Sequence, residues 1–232
     1  MEAGALYIVA TPIGNLQDIT LRALKTLKNM DIVLCENTRL TGKLLKHFKI
    51  KRPLRLLNDF NEETVSYQIL ELLLDGKQIA LVSDAGTPLI SDPGYRLVRL
   101  AREHGICVIP IPGATSVISA LSASGLPSDS FLFIGFLPKG KNKKAKLFNN
   151  FKSSYCIKTL CPTLIFFESP HRLAETLQVM YKTFGDMEIV LARELTKIHE
   201  EFVQKPLSAF ITDFSKSKPK GEFVVLCSFK QG

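Results

Sequence analysis

Residues 79–94 read Ile-Ala-Leu-Val-Ser-Asp-Ala-Gly-Thr-Pro-Leu-Ile-Ser-Asp-Pro-Gly. Four apolar residues stop abruptly at a corner of small, acidic and turn-forming residues. A short apolar run cut off in this way is a strand buried on both faces, and such strands belong to parallel sheets covered by helices. The same pattern occurs twice more. Leu6 to Ala10 runs into Thr11-Pro12-Ile13-Gly14-Asn15, and Cys107 to Ile111 runs into Pro112-Gly113-Ala114-Thr115-Ser116. In an open α/β sheet, ligands sit beyond the carboxyl ends of the strands, where small residues let backbone N–H and C=O groups come close. Three such corners in one half of the chain point to a pocket built from main chain. That chemistry suits the amide-like and ribose edges of a nucleoside cofactor. None of the corners is the GxGxxG of dinucleotide-binding folds.

Outward from these corners, strand and helix patterns alternate, the signature of βα units around a largely parallel sheet. Ile19, Ala23, Leu24 and Leu27 share one face of a helix. A strand at 32–34, a helix at 40–48 and a strand at 54–57 follow, then a helix at 62–74 with Asn61 as its N-cap. Asp92, Pro93 and Gly105 bracket a helix as cap, N1 proline and C-terminal glycine, and Thr115 and Ser116 open a helix of small residues. The second half restarts with a strand at 131–135. It continues with a strand at 164–167, a helix capped by Ser169 with Pro170 at N1, a strand at 188–192, a short helix at 206–214 and a closing strand at 222–229. The expected fold is α/β with two domains, 1–116 carrying the corners and 117–232 carrying a basic loop at 139–158.

At 232 residues with 46% apolar and 22% charged side chains, the chain can bury a full core, which excludes a disordered protein and a disulfide-stapled miniprotein. The net charge is +8. Lys139, Lys141, Lys143, Lys144, Lys146, Lys152 and Lys158 fall in one acid-free segment, which reads either as a solvated loop or as a tether for a polyanion, nucleic acid first. The five cysteines (35, 107, 156, 161, 227) show no ligand or framework spacing, so they are expected as buried thiols of a reducing compartment, with no metal. Gly105 to Ser128 is uncharged and long enough to span a bilayer, but its prolines and glycines break it into strand, turn and helix. With no basic region before an apolar stretch at the N-terminus, the protein is expected to be soluble and cytoplasmic, with no membrane partner.

One decoy sits at Gly135 to Asn142, which fits GxxxxGK but has Asn142 where a phosphate-binding loop needs a hydroxyl for Mg²⁺. Four polar segments also follow strands: Glu36-Asn37-Thr38-Arg39, Asn58-Asp59-Phe60-Asn61-Glu62, Glu168-Ser169-Pro170-His171-Arg172 and Arg193-Glu194-Leu195-Thr196-Lys197. Each reads as a local salt bridge or as part of a site that grips a phosphodiester through arginine and orients a hydroxyl through a carboxylate or amide. His171 reads as a helix-start residue.

The strings LYIVATPIGNLQDIT, CENTR, LVSDAGTPLISDPG, PGATSVISALSASGLPSD, GFLP, FFESPHR, LARELTK and GEFVVL occur in that order from Leu6 to Leu226. Together they resemble the ribosomal RNA small subunit cytidine 2′-O-methyltransferase family, of the tetrapyrrole-methylase superfamily. The resemblance implies two α/β domains with S-adenosylmethionine in the cleft between them, homodimerisation, and 2′-O-methylation of a decoding-centre cytidine in 16S rRNA of the small ribosomal subunit. By position it implies a cofactor wall of Pro12, Asp84, Ala85, Gly86, Thr87, Thr115 and Ser116, faced by Phe167, Ala192, Leu195, Gly221 and Glu222. Two departures stand out. Related sequences often carry histidines where this chain has residues 58–62, and many continue past GEFVVL where this sequence stops at Gly232.

For the transfer itself, Glu36 is the first expected proton acceptor and Glu194 the second, with Asn61 orienting the hydroxyl. Arg39 and Arg172 are expected on phosphate, and Lys139, Lys141, Lys143 and Lys144 on RNA. A small-molecule methylase of the tetrapyrrole type and a non-catalytic RNA-binding module remain the alternatives.

Overall fold

The computed structural model describes residues 4–155 and 161–229; Cys156 and Lys158 lie outside them. The chain divides into two compact units, Met1–Thr115 and Ser116–Gly232.

In the first unit the elements alternate strictly: β1 (Ala5–Val9), α1 (Leu21–Lys28), β2 (Ile32–Cys35), α2 (Thr38–His47), β3 (Leu54–Leu56), α3 (Glu62–Leu74), β4 (Gln78–Leu81), α4 (Tyr95–Glu103) and β5 (Cys107–Ile111). The five strands form one parallel sheet in the order β3-β2-β4-β1-β5. The chain steps from β1 through β2 to β3 toward one edge, then back through β4 to β5 at the other. Because parallel crossovers are right-handed, the two directions put their helices on opposite faces. Alternation along a strand serves both layers. Val33 packs with Ala23, Leu27 and Leu45 of α1 and α2, while Leu34 packs with Ile69, Leu73 and Leu97 of α3 and α4. Cys107, expected buried, is exposed at the start of edge strand β5.

The start of α4 differs from the sequence reading. Asp92 and Pro93 precede it without capping it; the N-cap is Gly94 at φ 125. Helix α3 supplies the missing acceptor, since Glu62 Oε1 receives the backbone N–H of Gly94 (3.1 Å) and of Arg96 (2.8 Å). Gly suits position 94 because φ 125 is a conformation that residues with a side chain rarely adopt, and a Cβ there would also press on Leu81 Cδ2 at 2.5 Å. Asn61 precedes α3 as expected, yet its side chain makes no cap bond.

The second unit contains α5 (Ser116–Ala123), β6 (Phe131–Phe136), α6 (Lys141–Tyr155), β7 (Thr163–Glu168), α7 (Pro170–Phe184), β8 (Glu188–Arg193), β9 (Glu201–Pro206), α8 (Leu207–Lys216) and β10 (Phe223–Cys227). Its sheet runs β6-β7-β10-β8-β9, and only β6 and β7 are parallel. The largely parallel expectation therefore fails here. Strand β9, absent from the sequence reading, closes an antiparallel pair with β8, and β10 is inserted between β7 and β8. The basic segment is the second correction. It is helix α6 in place of a loop, because Phe148 and Phe151 recur at helical spacing and are buried in the core with Phe166 and Leu177. Among the described residues no helix is long and apolar enough to cross a membrane.

Glu62→Ala removes the acceptor for two helix-start N–H groups that have no helical partner of their own. It should lower unfolding stability by about 1–2 kcal/mol, read from urea midpoints. Glu62→Gln, which keeps an acceptor oxygen, should cost less than Glu62→Ala.

Candidate active site

The carboxyl edge of the first sheet is tied together by main chain. Thr11 and Gly86 exchange backbone hydrogen bonds, Thr11 N–H to Gly86 O at 2.9 Å and Gly86 N–H to Thr11 O at 3.1 Å. The buried Thr11 hydroxyl also donates to Ser83 O (3.1 Å). The third corner joins through Thr87, whose hydroxyl donates to Ala114 O (3.2 Å). The three corners singled out in the sequence are thus one assembly. Gly86 takes φ 84, and a Cβ there would meet Ile13 Cγ2 at 3.3 Å. A Cβ on Gly113 would meet Ala10 Cβ at 3.0 Å. Pro12 is buried, Asp84 and Ala85 are exposed, and Thr115 is half-buried before Ser116 opens α5.

Beside this assembly, β2 delivers Glu36. Asn37 is the N-cap of α2, its Oδ1 accepting the N–H of Arg39 (3.1 Å) and Leu40 (3.2 Å). That cap fixes the turn between Glu36 and Arg39. Glu36 Oε1 is buried and has no hydrogen-bond partner among the described residues. Burial pushes the carboxyl up from 4.5 to about 7, helped by the charges of Asp92, Asp84 and Asp59 and partly offset by the Asp84 backbone N–H. Burial raises the carboxyls of Asp84 and Asp92 as well. The sequence reading missed this cluster: its four acids come from three separate segments, and Asp92 had been assigned to a helix cap. Arg39 lies exposed in the first turn of α2 with no ion pair among the described residues. Asn61 turns inward to its own loop, Oδ1 accepting from Asn58 N–H (2.8 Å) and Nδ2 donating to Leu56 O (3.2 Å). Its amide holds the loop that carries Asp59.

In the second unit, Phe167 and Ala192 flank Val224 in one row across the sheet. Phe167 packs edge-on to Phe133 and Phe136, and Leu195 is buried next to Glu194. Glu194 sits at φ 49, with its Oε1 accepting from Glu222 N–H (2.8 Å) and from Lys197 Nζ (3.1 Å). Gly221 makes room for it, since a Cβ there would lie 2.7 Å from Glu194 Cγ. Lys197 also pairs with Glu222 (2.9 Å). The Glu222 N–H, with the Lys197 ammonium, holds the Glu194 carboxyl below the usual range. A carboxylate stabilised in this way is a poor proton acceptor, in contrast to Glu36.

Lys144 corrects the sequence reading. It is fully buried, donates to Thr176 Oγ1 (2.8 Å) and pairs with Glu175 (3.2 Å) and Glu168 (3.7 Å). Glu168 is equally inaccessible and accepts from Thr176 Oγ1 (2.6 Å), Ser169 N–H (2.9 Å) and Arg172 Nε (2.7 Å). Arg172 donates further to Leu137 O (2.9 Å). The FFESPHR segment is therefore a core ion network that joins β7, α7, α6 and the end of β6. Lys144 is closed to RNA, and Arg172 is engaged within the fold. Lys139, Lys141 and Lys143 are exposed around the start of α6.

The sequence model of the tetrapyrrole (corrin/porphyrin) methylases matches residues 5–211. The ribosomal RNA small subunit methyltransferase I of Thermotoga maritima is 46% identical over 228 residues, 98% of this chain and 100% of that one. The chain belongs to this methylase family, among the ribosomal RNA small subunit methyltransferase I proteins. The protein of the same name from Vibrio cholerae is 53% identical over 228 residues, 97% of this chain and 77% of that one. Among solved structures, the methyltransferase CobJ superposes with a TM-score of 0.70 at 16% identity, covering 97% of this chain and 95% of that one, which shows the shared fold.

Two outcomes follow from these geometries. Lys144→Met leaves Glu168 as a buried carboxylate short of one cation and should cost about 3–5 kcal/mol in urea unfolding, with much of the loss recovered by adding Glu168→Gln. The folded-state pKa of Glu36 lies above its ordinary 4.5, so the folded protein holds the proton more tightly. Stability from this group is present below about pH 4.5 and declines as pH rises toward 7. Glu36→Gln should abolish that decline, so its Tm should exceed the parent's at pH 8 and converge on it toward pH 5.

Proposed function

We propose that this protein methylates the ribose 2′-hydroxyl of a decoding-centre cytidine in 16S rRNA, using S-adenosylmethionine and acting on the small ribosomal subunit. The observation that carries the reading is Glu36: a carboxyl near pKa 7, with one buried, unpartnered oxygen, beside corners that present main chain. The Thermotoga maritima and Vibrio cholerae relatives are ribosomal RNA small subunit methyltransferases by name, which supports the choice of ribosomal RNA.

The corners fit a nucleoside cofactor, because they bring small residues and turns together at the carboxyl edge of a parallel sheet, with Asp84 and Ala85 exposed and Gly113 and Thr115 half-buried there. Pro12, Asp84 to Thr87 and Thr115 would hold it. When bound, S-adenosylmethionine supplies an electrophilic methyl on a sulfonium that is already a good leaving group. What remains for the protein is alignment and proton removal. A 2′-hydroxyl is a weak nucleophile at neutral pH, and a base works best when its pKa lies near the working pH. Glu36 meets that condition and gains by accepting the proton, since neutralisation relieves repulsion from Asp84, Asp92 and Asp59. Arg39, three residues on and fixed by the Asn37 cap, holds a flanking phosphate and sets the hydroxyl in line.

The test is methyl transfer from labelled S-adenosylmethionine to small subunits taken from cells lacking the modification, with the methylated nucleotide mapped. The rate should rise with pH and level off above about 7. Glu36→Gln should lower kcat by about 10²–10⁴-fold while S-adenosylhomocysteine still binds. Arg39→Ala should raise KM for the subunit and lower kcat. A label on a base rather than a ribose would overturn the reaction, and a Glu36→Gln variant with full kcat would remove Glu36 from its role.

A further inference from the structure

The stretch Thr38–Arg55 carries Arg39, Lys43, Lys46, Lys49, Lys51, Arg52 and Arg55 and contains no acid. It is as rich in cations as the lysine segment of the second unit, and it begins at the candidate site. On α2, Thr41 and Leu45 are buried. Arg39, Lys43 and Lys46, spaced i, i+4 and i+7, therefore form a row on the opposite, exposed face. At 1.5 Å per residue the row is about 10 Å long. Past the end of α2 the chain turns at Lys49, which holds φ 55, a position where glycine is usual. The side chain of Arg52 then bonds back to the Lys28 carbonyl at the end of α1.

The turn shapes an open groove of about 670 Å³. Its floor is apolar, formed by Gly42, Ile50 and Leu54, and its rim carries Lys46, Lys49 and Lys51. None of Arg39, Lys43, Lys46, Lys49 and Lys51 forms an ion pair among the described residues. Cations gathered without counter-charge repel one another, so the arrangement is favourable only when an anion lies along it. A row of unpaired cations leading to an apolar-floored, cation-rimmed groove is complementary to a nucleic acid strand, phosphates on the row and a base in the groove.

We propose that the outer face of α2 and the 45–54 groove are the track for the RNA strand flanking the modified nucleotide. This inference rests on the proposed function and adds the path by which RNA leaves the Glu36–Arg39 site. Lysine-to-glutamine changes at 43, 46 and 51 test it in the full chain, with a 20-nucleotide single-stranded RNA and intact small subunits as probes. Affinity at 150 mM salt should fall about tenfold to a hundredfold, and the slope of log affinity against log salt should lessen by about 2, near 0.7 per lost phosphate contact. Affinity for S-adenosylhomocysteine and kcat at saturating subunits should be unchanged. Lys49→Gly gives an independent readout. Relief of the positive φ should raise Tm while loss of the charge weakens RNA binding, a pairing that a structural role for Lys49 would not produce. An unchanged salt slope with subunits still methylated would overturn the track and leave the proposed function standing. A parent protein that neither binds nor methylates RNA would overturn both.

Discussion

The candidate site depends on the reciprocal main-chain pair between Thr11 and Gly86. Strands β1 and β4 are neighbours in the sheet, but the chain leaves them in opposite directions, β1 toward β2 and β4 toward β5. Each connection passes over the other's strand, so the turns after β1 and β4 meet at one place on the carboxyl edge, where ligand crevices of open α/β sheets form. The Thr11–Gly86 bonds, reinforced by Thr11 to Ser83 and Thr87 to Ala114, close that edge into a rigid rim. The positive φ at Gly86 is the conformational requirement of this closure, and only a residue without a Cβ meets it without strain.

Next to that rim the fold keeps an arrangement that stability alone would not select. Glu36, Asp84, Asp92 and Asp59 influence one another electrostatically, and burial raises the first three of these carboxyls. The second unit handles its buried charge in the opposite way. Glu168 is surrounded by donors from Arg172, Thr176 and Ser169, with Lys144 close by. Both units bury carboxylates, yet one satisfies its acid and the other leaves an oxygen open. That asymmetry separates a group that holds the fold from a group available to a proton.

The parallel sheet and the three corners were legible in the sequence, because glycine, proline and short apolar runs act through local conformation. The inner partner of helix α6 was legible too, although it went unread: Lys144, Phe148 and Phe151 share one helical phase, so that lysine had to face inward. The antiparallel second sheet was harder. Glu201–Pro206 has little apolar content, and its pairing with β8 is decided by the neighbouring strand rather than by its own residues. The acid cluster could not be read at all, since it joins segments up to 56 residues apart in the chain. Glu36 and Arg39 could be named from their place after a strand; what raises the pKa of Glu36 could not.

The surroundings of Glu36 also bear on which side chain would suit the proposed base. Burial disfavours the charged form of either group, so it raises a carboxyl and lowers an imidazole, whereas neighbouring carboxylates favour the proton on both. For Glu36 the two effects act in the same direction, burial first and the charges of Asp92, Asp84 and Asp59 second, and together they bring it to about 7. Main-chain contacts at the corners place few demands on side-chain identity, and the fold persists against CobJ at 16% identity. Under the proposed function, the chemistry particular to this chain would rest on the side chains between β2 and α2, where the Asn37 cap fixes the turn between Glu36 and Arg39.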